Sequence, residues 1–315
     1  MKTKICDLFG INYPIISGGM VWCSGWRLAE AVSRAGGLGL IGAGSMTPEL
    51  LEEHIVKCRK ALGEIPFGVN LPLFNPLAEK MIEVIENQEV RVVFSSGGNP
   101  ALYTKRLKES GCKVAHVVAS VKFALKAECA GVDAVVCEGF EAGGHNGKEE
   151  LTTMVLTPQV ARAVSIPVIA AGGIATGDAV LAAFALGAEG VQMGTRFALS
   201  EESSAHENFK KLCITLGEGD TMLALKKLTP VRLIKNDFYK RIAEAESRGA
   251  SAEELLEIIG FKRTKLGIFE GDLNEGELEI GQITSIIRSI QTVQDVFNQV
   301  IEEYEIALSK LPFHK

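Results

Sequence analysis

The chain has 315 residues, of which 47% are hydrophobic and 23% charged, and these proportions exclude a globally disordered protein. Its net charge of −6 argues against broad nucleic-acid binding, which needs a basic surface. No apolar run reaches the roughly 18–20 residues that cross a bilayer, and the first residues lack the apolar core of a secretory signal. Seven scattered cysteines without a C-x-x-C pair suggest reduced thiols, so we expect a cytoplasmic protein without membrane contact or a metal site.

Short apolar runs alternate with amphipathic helical stretches over the first 200 residues. Several of the runs are rich in β-branched residues and lack polar alternation, which is typical of strands buried on both faces of a parallel sheet. Each run begins 21 to 33 residues after the previous one, which fits one strand and one helix per unit. The pattern predicts a (β/α)8 TIM barrel, with a doubly wound sheet as the alternative. The eight predicted strands are 14–19, 38–42, 67–71, 90–95, 113–119, 134–138, 167–171 and 190–194.

The pattern changes after about residue 215, where charged helical stretches follow one another without clear strands. We predict that residues 1–219 form the barrel and that 220–290 form a smaller, mostly helical substrate or lid domain. Residues 291–315 are predicted to hold a terminal helix that packs back on the barrel. Its apolar face comprises Val293, Val296, Phe297, Val300, Ile301, Tyr304 and Leu308.

Glycines and polar residues gather at the predicted carboxyl ends of the strands, where a barrel of this kind forms its active site. Any single glycine pair is more often a turn, but a whole set on one rim favours a planar ligand that approaches the main chain. Such glycines also leave backbone N–H groups free for an anion. The predicted cofactor-binding residues are Gly18, Gly19, Met20, Asn70, Glu138, Gly143, Gly144, Gly172, Gly173, Gln192, Met193, Gly194 and Thr195.

The last two predicted strands carry the strongest signal for a phosphate. Gly172 and Gly173 are followed by a helix start at 175–178, and Gly194-Thr195 comes one unit later. We predict that backbone amides, this helix N-terminus and the Thr195 hydroxyl converge on one phosphate. Because neither a Walker motif nor a G-x-G-x-x-G after a strand is present, a mononucleotide such as FMN fits better than a dinucleotide fold.

His145 follows two glycines and is the candidate catalytic residue. An imidazole can donate a proton to an enolate near neutral pH, and the neighbouring Glu138 and Glu141 favour this interpretation over an exposed loop histidine. Asn70 is either a flavin contact or a turn residue. The other histidines show no metal-ligand spacing and are predicted to be structural or exposed; they are His54, His116, His206 and His314.

One stretch is basic although the whole chain is acidic. Between 221 and 241 there are six basic residues and one acid, Asp237. The stretch is either a solvated helix face or a docking surface for an acidic partner or a phosphate-bearing substrate arm. The residues proposed for docking are Lys226, Lys227, Arg232 and Lys235.

Several motifs resemble the nitronate monooxygenase (formerly 2-nitropropane dioxygenase) superfamily. They are P-I-I-S-G-G-M at 14–20, E-G-F-E-A-G-G-H-N-G at 138–147, P-V-I-A-A-G-G-I at 167–174 and V-Q-M-G-T-R-F at 191–197. Within the superfamily the chain is most similar to the FMN-dependent enoyl-acyl carrier protein reductases of bacteria. The segments that carry this likeness are 67–70, 98–100, 270–272 and 280–282.

The resemblance implies an FMN enzyme that uses NADH or NADPH to reduce a trans-2-enoyl-acyl carrier protein in fatty acid elongation. It places His145 at the active-site histidine, and it implies a homodimer and possible activation by a monovalent cation. The alternative activity is oxidation of alkyl nitronates with FMN and O2; a flavin-binding module without turnover would not need His145. The chain departs from the reductase pattern at Asn146 and at the charged pair 149–150.

Overall fold

Eight parallel strands close into a barrel inside a ring of helices in the computed structural model, which describes residues 1–312. The strands within residues 1–200 are β1 (Ile15–Ser17), β2 (Gly39–Gly42), β3 (Phe67–Pro72), β4 (Val92–Ser96), β5 (Lys113–Val118), β6 (Ala134–Glu138), β7 (Gly144–His145), β8 (Val168–Ala171) and β9 (Gly190–Met193). All except β7 belong to the barrel, in the order β1-β9-β8-β6-β5-β4-β3-β2. A parallel bridge between Ile16 and Leu38 joins β1 to β2. All eight predicted strands are confirmed, and the closure excludes the doubly wound alternative.

The helices connect successive strands and cover the outside of the barrel. They are α1 (Lys4–Phe9), α2 (Trp26–Arg34), α3 (Pro48–Leu62), α4 (Ala78–Asn87), α5 (Thr104–Glu109), α6 (Val121–Cys129), α7 (Thr153–Ala163), α8 (Gly177–Ala185), α9 (Thr195–Ala198), α10 (Glu207–Cys213), α11 (Asp237–Ser247), α12 (Ala252–Ile259) and α13 (Val293–Ser309). None of the helices within residues 1–312 is long and apolar enough to cross a membrane. His314 lies outside the described residues.

Two apolar layers hold the barrel together. Strand residues such as Leu40 and Phe94 fill its interior, whereas alternate residues such as Val93 pack beneath the helices. Helix α1 adds Ile5 and Phe9 to the interior cluster, and the rings of Phe9 and Phe94 lie 5.5 Å apart. Because α1 fills the amino-terminal end of the barrel, the carboxyl ends of the strands are left for the site.

The terminal helix packs back on the barrel, as the sequence predicts. In α13, Val296, Phe297 and Val300 are buried, and the helix contacts α8 and α2. The Glu303 carboxylate accepts a hydrogen bond of 2.8 Å from the N–H of Gly177. The start of α8 therefore faces α13 and is not part of a phosphate site, which corrects the prediction that this helix N-terminus would bind phosphate.

A β-hairpin lies in the segment that was predicted to be mostly helical. Strands β10 (Thr221–Ala224) and β11 (Val231–Ile234) pair antiparallel, and β11 also pairs with β7, so that the barrel loop after β6 becomes the third strand. The sequence pattern missed the hairpin because each strand has only four residues and carries a charged or polar residue within it. The helical expectation holds for α11 and α12, which follow the hairpin.

The structure corrects the docking role predicted for Arg232. Its side chain is 2% exposed, and its Nε and Nη2 donate to the carbonyl oxygen of Phe140 at 3.0 and 2.7 Å. The guanidinium also lies over the Phe140 ring, with Cζ 5.2 Å from the ring centre. Arg232 is therefore an internal clamp between the hairpin and the loop after β6, and no partner can reach it.

Two of the three proposed docking lysines already have partners. Lys226 forms an ion pair with Glu150, and the Lys227 ammonium donates to the carbonyl oxygens of Gly249 and Ala250 at 3.0 and 2.6 Å. Lys235 is exposed and has no carboxylate within 4.0 Å among residues 1–312. A docking surface in this region therefore has fewer free cations than the sequence suggests.

Replacing Arg232 with alanine is expected to lower the free energy of unfolding by about 2–4 kcal/mol, because the buried Phe140 carbonyl loses both donors and a void remains. Urea unfolding measures the loss. The matched control is Lys235→Ala, at an exposed position just beyond the same strand, which should change the free energy by less than about 0.5 kcal/mol. Equal losses in the two variants would contradict the clamp.

Candidate active site

A cavity of about 740 Å³ opens at the carboxyl ends of the barrel strands, a volume typical of small-molecule sites. The loops after most of the strands line it, and residues 279–281 cover it as a roof. Twelve of the thirteen predicted cofactor residues line this one cavity, and so does His145. The exception is Met193.

Met193 is corrected from a cofactor contact to a structural residue. Its side chain is 0% exposed and packs in the layer between the strands and the helices. Its carbonyl oxygen accepts a hydrogen bond of 2.9 Å from the N–H of Gly18. This bond links the ends of β1 and β9, and it brings Gly18 close to Gly194, where a Cβ on Gly18 would lie 3.2 Å from the Gly194 Cα.

Free backbone donors gather at the ends of β8 and β9. Among residues 1–312, no acceptor is found for the N–H groups of Gly172, Gly173, Gly194 and Thr195. The Thr195 hydroxyl accepts from the N–H of Gly281 at 3.0 Å, and its own hydrogen stays free to donate. Backbone donors left without an internal partner beside a cavity are suited to an anion such as phosphate.

Gly172 is the position at which the phosphate-side loop depends on glycine. Its φ is +95°, in the left-handed region that other residues rarely adopt, and a Cβ would lie 2.7 Å from the carbonyl oxygen of Gly139. The loop after β8 can therefore pass close to the loop after β6, with which it shares the cavity wall.

Two buried side-chain amides carry acceptors without partners. Gln192 Oε1, at the end of β9, has no hydrogen-bond partner among residues 1–312, although Gln192 is only 8% exposed. Asn70, at the end of β3, donates from Nδ2 to the carbonyl oxygen of Phe94 at 3.0 Å, and no donor within 1–312 reaches its Oδ1. A Cβ on Gly19 would overlap the Asn70 side chain, so the loop after β1 lies flat against it. Met20 continues this wall of the cavity.

His145 is held by backbone pairing rather than by its own side chain. It forms β7 with Gly144, whose φ is +75°, and β7 pairs with β11 through Gly144 opposite Arg232. The Asn146 amide donates to the carbonyl oxygens of Ala142 and Gly144 at 3.0 and 2.9 Å. Asn146, one of the departures from the reductase pattern, therefore braces the turn that carries His145.

The His145 imidazole opens onto the cavity and forms no hydrogen bond with any residue of the described chain. Its ring centre lies 6.3 Å from that of Phe74. The surrounding protein disfavours the charged form and lowers the pKa of His145 from its usual value of 6.5. The neutral imidazole is therefore the main form at pH 7.

Two carboxyl groups in the cavity wall have pKa values that are shifted in the opposite direction, above their usual range. Desolvation raises the pKa of Glu138, at the end of β6, to about 7. In the roof, desolvation and the nearby Glu277 raise the pKa of Glu279 to about 8. At neutral pH this cavity therefore holds protons on its carboxyl groups more than on its imidazole.

Sequence patterns did not predict Glu279 at the cavity, and His116 was expected to be structural or exposed. His116 lies at the cavity wall, with Nδ1 2.8 Å from the Ser95 hydroxyl, and desolvation lowers its pKa to about 4. Glu279 belongs to a connector that no local pattern places over the barrel. The only sequence signal was its neighbour, the segment 280–282, which carried part of the family resemblance.

Comparison with known proteins agrees with this architecture. The family model for nitronate monooxygenase matches residues 2–303. The solved structure of FabK from Thermotoga maritima is 42% identical, covers 98% of both chains and superposes with a TM-score of 0.93. A probable nitronate monooxygenase of Staphylococcus aureus is 36% identical over 78% of this chain and 81% of its own.

A third relative is named as a dehydrogenase of a carboxyl-CoA compound. The (3aS,4S,5R,7aS)-5-hydroxy-7a-methyl-1-oxo-octahydro-1H-indene-4-carboxyl-CoA dehydrogenase of Rhodococcus jostii is 31% identical over 96% of both chains. The family model and these relatives cover nearly all of the chain that forms the barrel, the hairpin and the roof. The chain therefore belongs to the nitronate monooxygenase family and is an oxidoreductase.

Proposed function

We propose that the protein is an FMN-dependent reductase of trans-2-enoyl-acyl carrier protein that uses NADH or NADPH. The observation that carries the proposal is the likeness to FabK, an enoyl-acyl carrier protein reductase, at 42% identity over 98% of both chains. The likeness to the nitronate monooxygenase of S. aureus is lower in identity and covers less of the chain. The likeness to FabK, which covers 98% of this chain, includes the roof and the hairpin, and residues of both line the cavity around His145.

The residues of the cavity fit FMN. The free N–H groups of Gly172, Gly173 and Gly194 and the Thr195 hydroxyl suit a terminal phosphate. The acceptors at Gln192 Oε1 and Asn70 Oδ1 suit the donors of a flavin ring, and without such a donor Gln192 Oε1 is a buried atom with no partner in the described chain. The remaining contacts are proposed for Gly18, Gly19, Met20, Glu138, Gly143 and Gly144, which line the same cavity. The chemistry that FMN supplies is hydride transfer from a reduced nicotinamide to the β-carbon of an enoyl group.

His145 is proposed to deliver the proton that the α-carbon takes up. The ring faces the cavity without a competing hydrogen bond within the described chain, so it is free to contact substrate. A lowered pKa makes the imidazolium a stronger acid, although it reduces the fraction that is charged at neutral pH. Arg232 and Asn146 hold the turn that carries His145, and so they position the proton donor.

The proposed partner is the acidic carrier protein that bears the enoyl thioester. We propose that Lys226, Lys227 and Lys235 contact the carrier protein. Lys226 would first have to leave Glu150, and Lys227 the carbonyl oxygens that it binds. Homodimer formation and activation by a monovalent cation also stay predictions from the resemblance.

Oxidation of alkyl nitronates with FMN and O2 is the second candidate, and the 36% identical relative favours it. A nitronate is a small anion that needs no carrier protein. The two activities share the cavity and His145, so only turnover separates them.

An anaerobic half-reaction tests the choice. Purified yellow enzyme is reduced with NADH, and a crotonyl thioester is added while the flavin absorbance is followed. We expect rapid reoxidation of the flavin with loss of the enoyl double bond. Flavin that stays reduced with the thioester, yet turns over with an alkyl nitronate in air, would assign the protein to the second activity.

Replacing His145 with alanine is expected to lower kcat/KM for the crotonyl thioester about 10²–10⁴-fold, because the proton donor is removed. In the wild type, kcat/KM should fall as the pH rises through the pKa of His145, which lies below 6.5, because the imidazolium that donates the proton is lost. His145→Ala should lose this slope and keep its flavin content and melting temperature. An unchanged kcat/KM or an unchanged slope would show that another group donates the proton.

A further inference from the structure

Glu279 lies in the roof, directly against the turn that carries His145. Its backbone forms an antiparallel bridge with Leu233 of β11, and its side chain lines the cavity. A Cβ on Gly144 would lie 2.6 Å from Glu279 Oε2. The absence of a side chain at Gly144 thus leaves room for this carboxyl group beside the residue that precedes His145.

The Glu279 carboxyl group has no internal partner. Within residues 1–312 it forms no hydrogen bond and has no Lys, Arg or His nitrogen within 4.0 Å, although the protein encloses most of it. By contrast, Glu277 on the same segment accepts a hydrogen bond of 2.9 Å from the Thr264 hydroxyl. The Glu279 side chain is half-buried and its oxygens open onto the cavity, so a ligand in the cavity can contact a carboxyl group that no protein group occupies.

The surroundings keep Glu279 uncharged at neutral pH. Desolvation and the Glu277 carboxyl group raise its pKa to about 8. A neutral carboxylic acid can donate one hydrogen bond, which a carboxylate cannot. The titratable and charged groups on the segments around it are Cys23, Glu141, His145, Lys210, Arg232 and Glu277. Arg232 and Lys210 are bound to backbone carbonyl oxygens elsewhere.

We infer that Glu279 donates a hydrogen bond to the thioester carbonyl oxygen of the bound substrate and is a further binding residue of this site. The inference rests on the proposed function. A substrate whose α-carbon is within reach of His145 has its carbonyl oxygen only two bonds from that carbon, and Glu279 lies beside Gly144, the residue that precedes His145. Phosphate is proposed to bind at the ends of β8 and β9, where the backbone donors are, so an acceptor oxygen beside β7 belongs to the acyl group. Glu279 keeps its proton, and the hydrogen bond strengthens as charge develops on that oxygen.

Binding of a saturated thioester tests this without turnover. The oxidised holoenzyme is titrated with butyryl-CoA from pH 6.5 to 9, and the change in flavin absorbance gives the Kd. In the wild type we expect the Kd to rise above pH 8, approaching tenfold per pH unit, because ionised Glu279 loses its donor. Glu279→Gln keeps a donor that does not titrate, so its Kd should not rise in this range. Glu279→Met should bind about tenfold more weakly at pH 7.

Glu277→Gln is the matched control, because it changes an enclosed carboxyl group two residues away whose oxygen is bound to Thr264. It should keep the wild-type Kd at pH 6.5 and still show a rise with pH, which begins at a lower pH because the Glu277 charge no longer raises the pKa of Glu279. Wild-type binding in Glu279→Met, or a wild-type rise in Glu279→Gln, would overturn the role of Glu279 while leaving the reductase activity in place. If the wild-type holoenzyme neither binds butyryl-CoA nor reduces crotonyl-CoA, the proposed function fails and this inference fails with it.

Discussion

The geometry of the site depends on how the backbone from Gly143 to His145 is held. This short turn pairs with β11 on one side and packs under the roof on the other, where a Cβ on Gly143 would lie 2.5 Å from the carbonyl carbon of Ile280. Arg232 holds the residues before the turn by donating to the Phe140 carbonyl oxygen, and the Asn146 amide donates to the Ala142 carbonyl oxygen within the turn. The His145 side chain makes no hydrogen bond within the described chain, so this backbone support and the neighbouring Phe74 ring position the imidazole.

Desolvation is the second constraint, and it determines where protons reside. Desolvation lowers the pKa of His145, although its side chain is exposed at the mouth of the cavity, and it raises the pKa of Glu138 to about 7 and that of Glu279 to about 8. A cavity that disfavours charge on these three side chains is suited to an acyl thioester, whose charge develops only during reduction. Phosphate needs the opposite environment, and the free backbone donors at the ends of β8 and β9 provide it at another part of the rim.

The barrel and most of the cavity could be predicted from the sequence because both follow from local patterns. Buried strands have continuous apolar runs, and parallel strands place their carboxyl ends on one rim, so Asn70, Gln192 and Gly172 could be assigned to one site without knowing any contact. The hairpin could not be predicted in this way. Arg232 looks like surface charge in a basic stretch, and only the fold reveals that its head group is bonded to Phe140.

The role of the roof and that of the helix after β8 could not be predicted from the sequence for a related reason. Glu279 reaches the cavity through pairing with Leu233, a contact between segments far apart in sequence that no local periodicity predicts. The start of α8 has the sequence of a phosphate-binding helix, yet Glu303, more than 120 residues later, takes its N–H group. Long-range partners of this kind decide which of several locally plausible roles a residue has.

Isotope placement in the product tests the central claim most directly. In one reaction, the enzyme reduces a crotonyl thioester in ordinary water with NADH that carries deuterium at the transferable position. The complementary reaction uses unlabelled NADH in D2O. The account predicts deuterium at the β-carbon in the first reaction and at the α-carbon in the second, with slower reduction in His145→Ala. A product labelled at the α-carbon by the nicotinamide, or no saturated product at all, would contradict it.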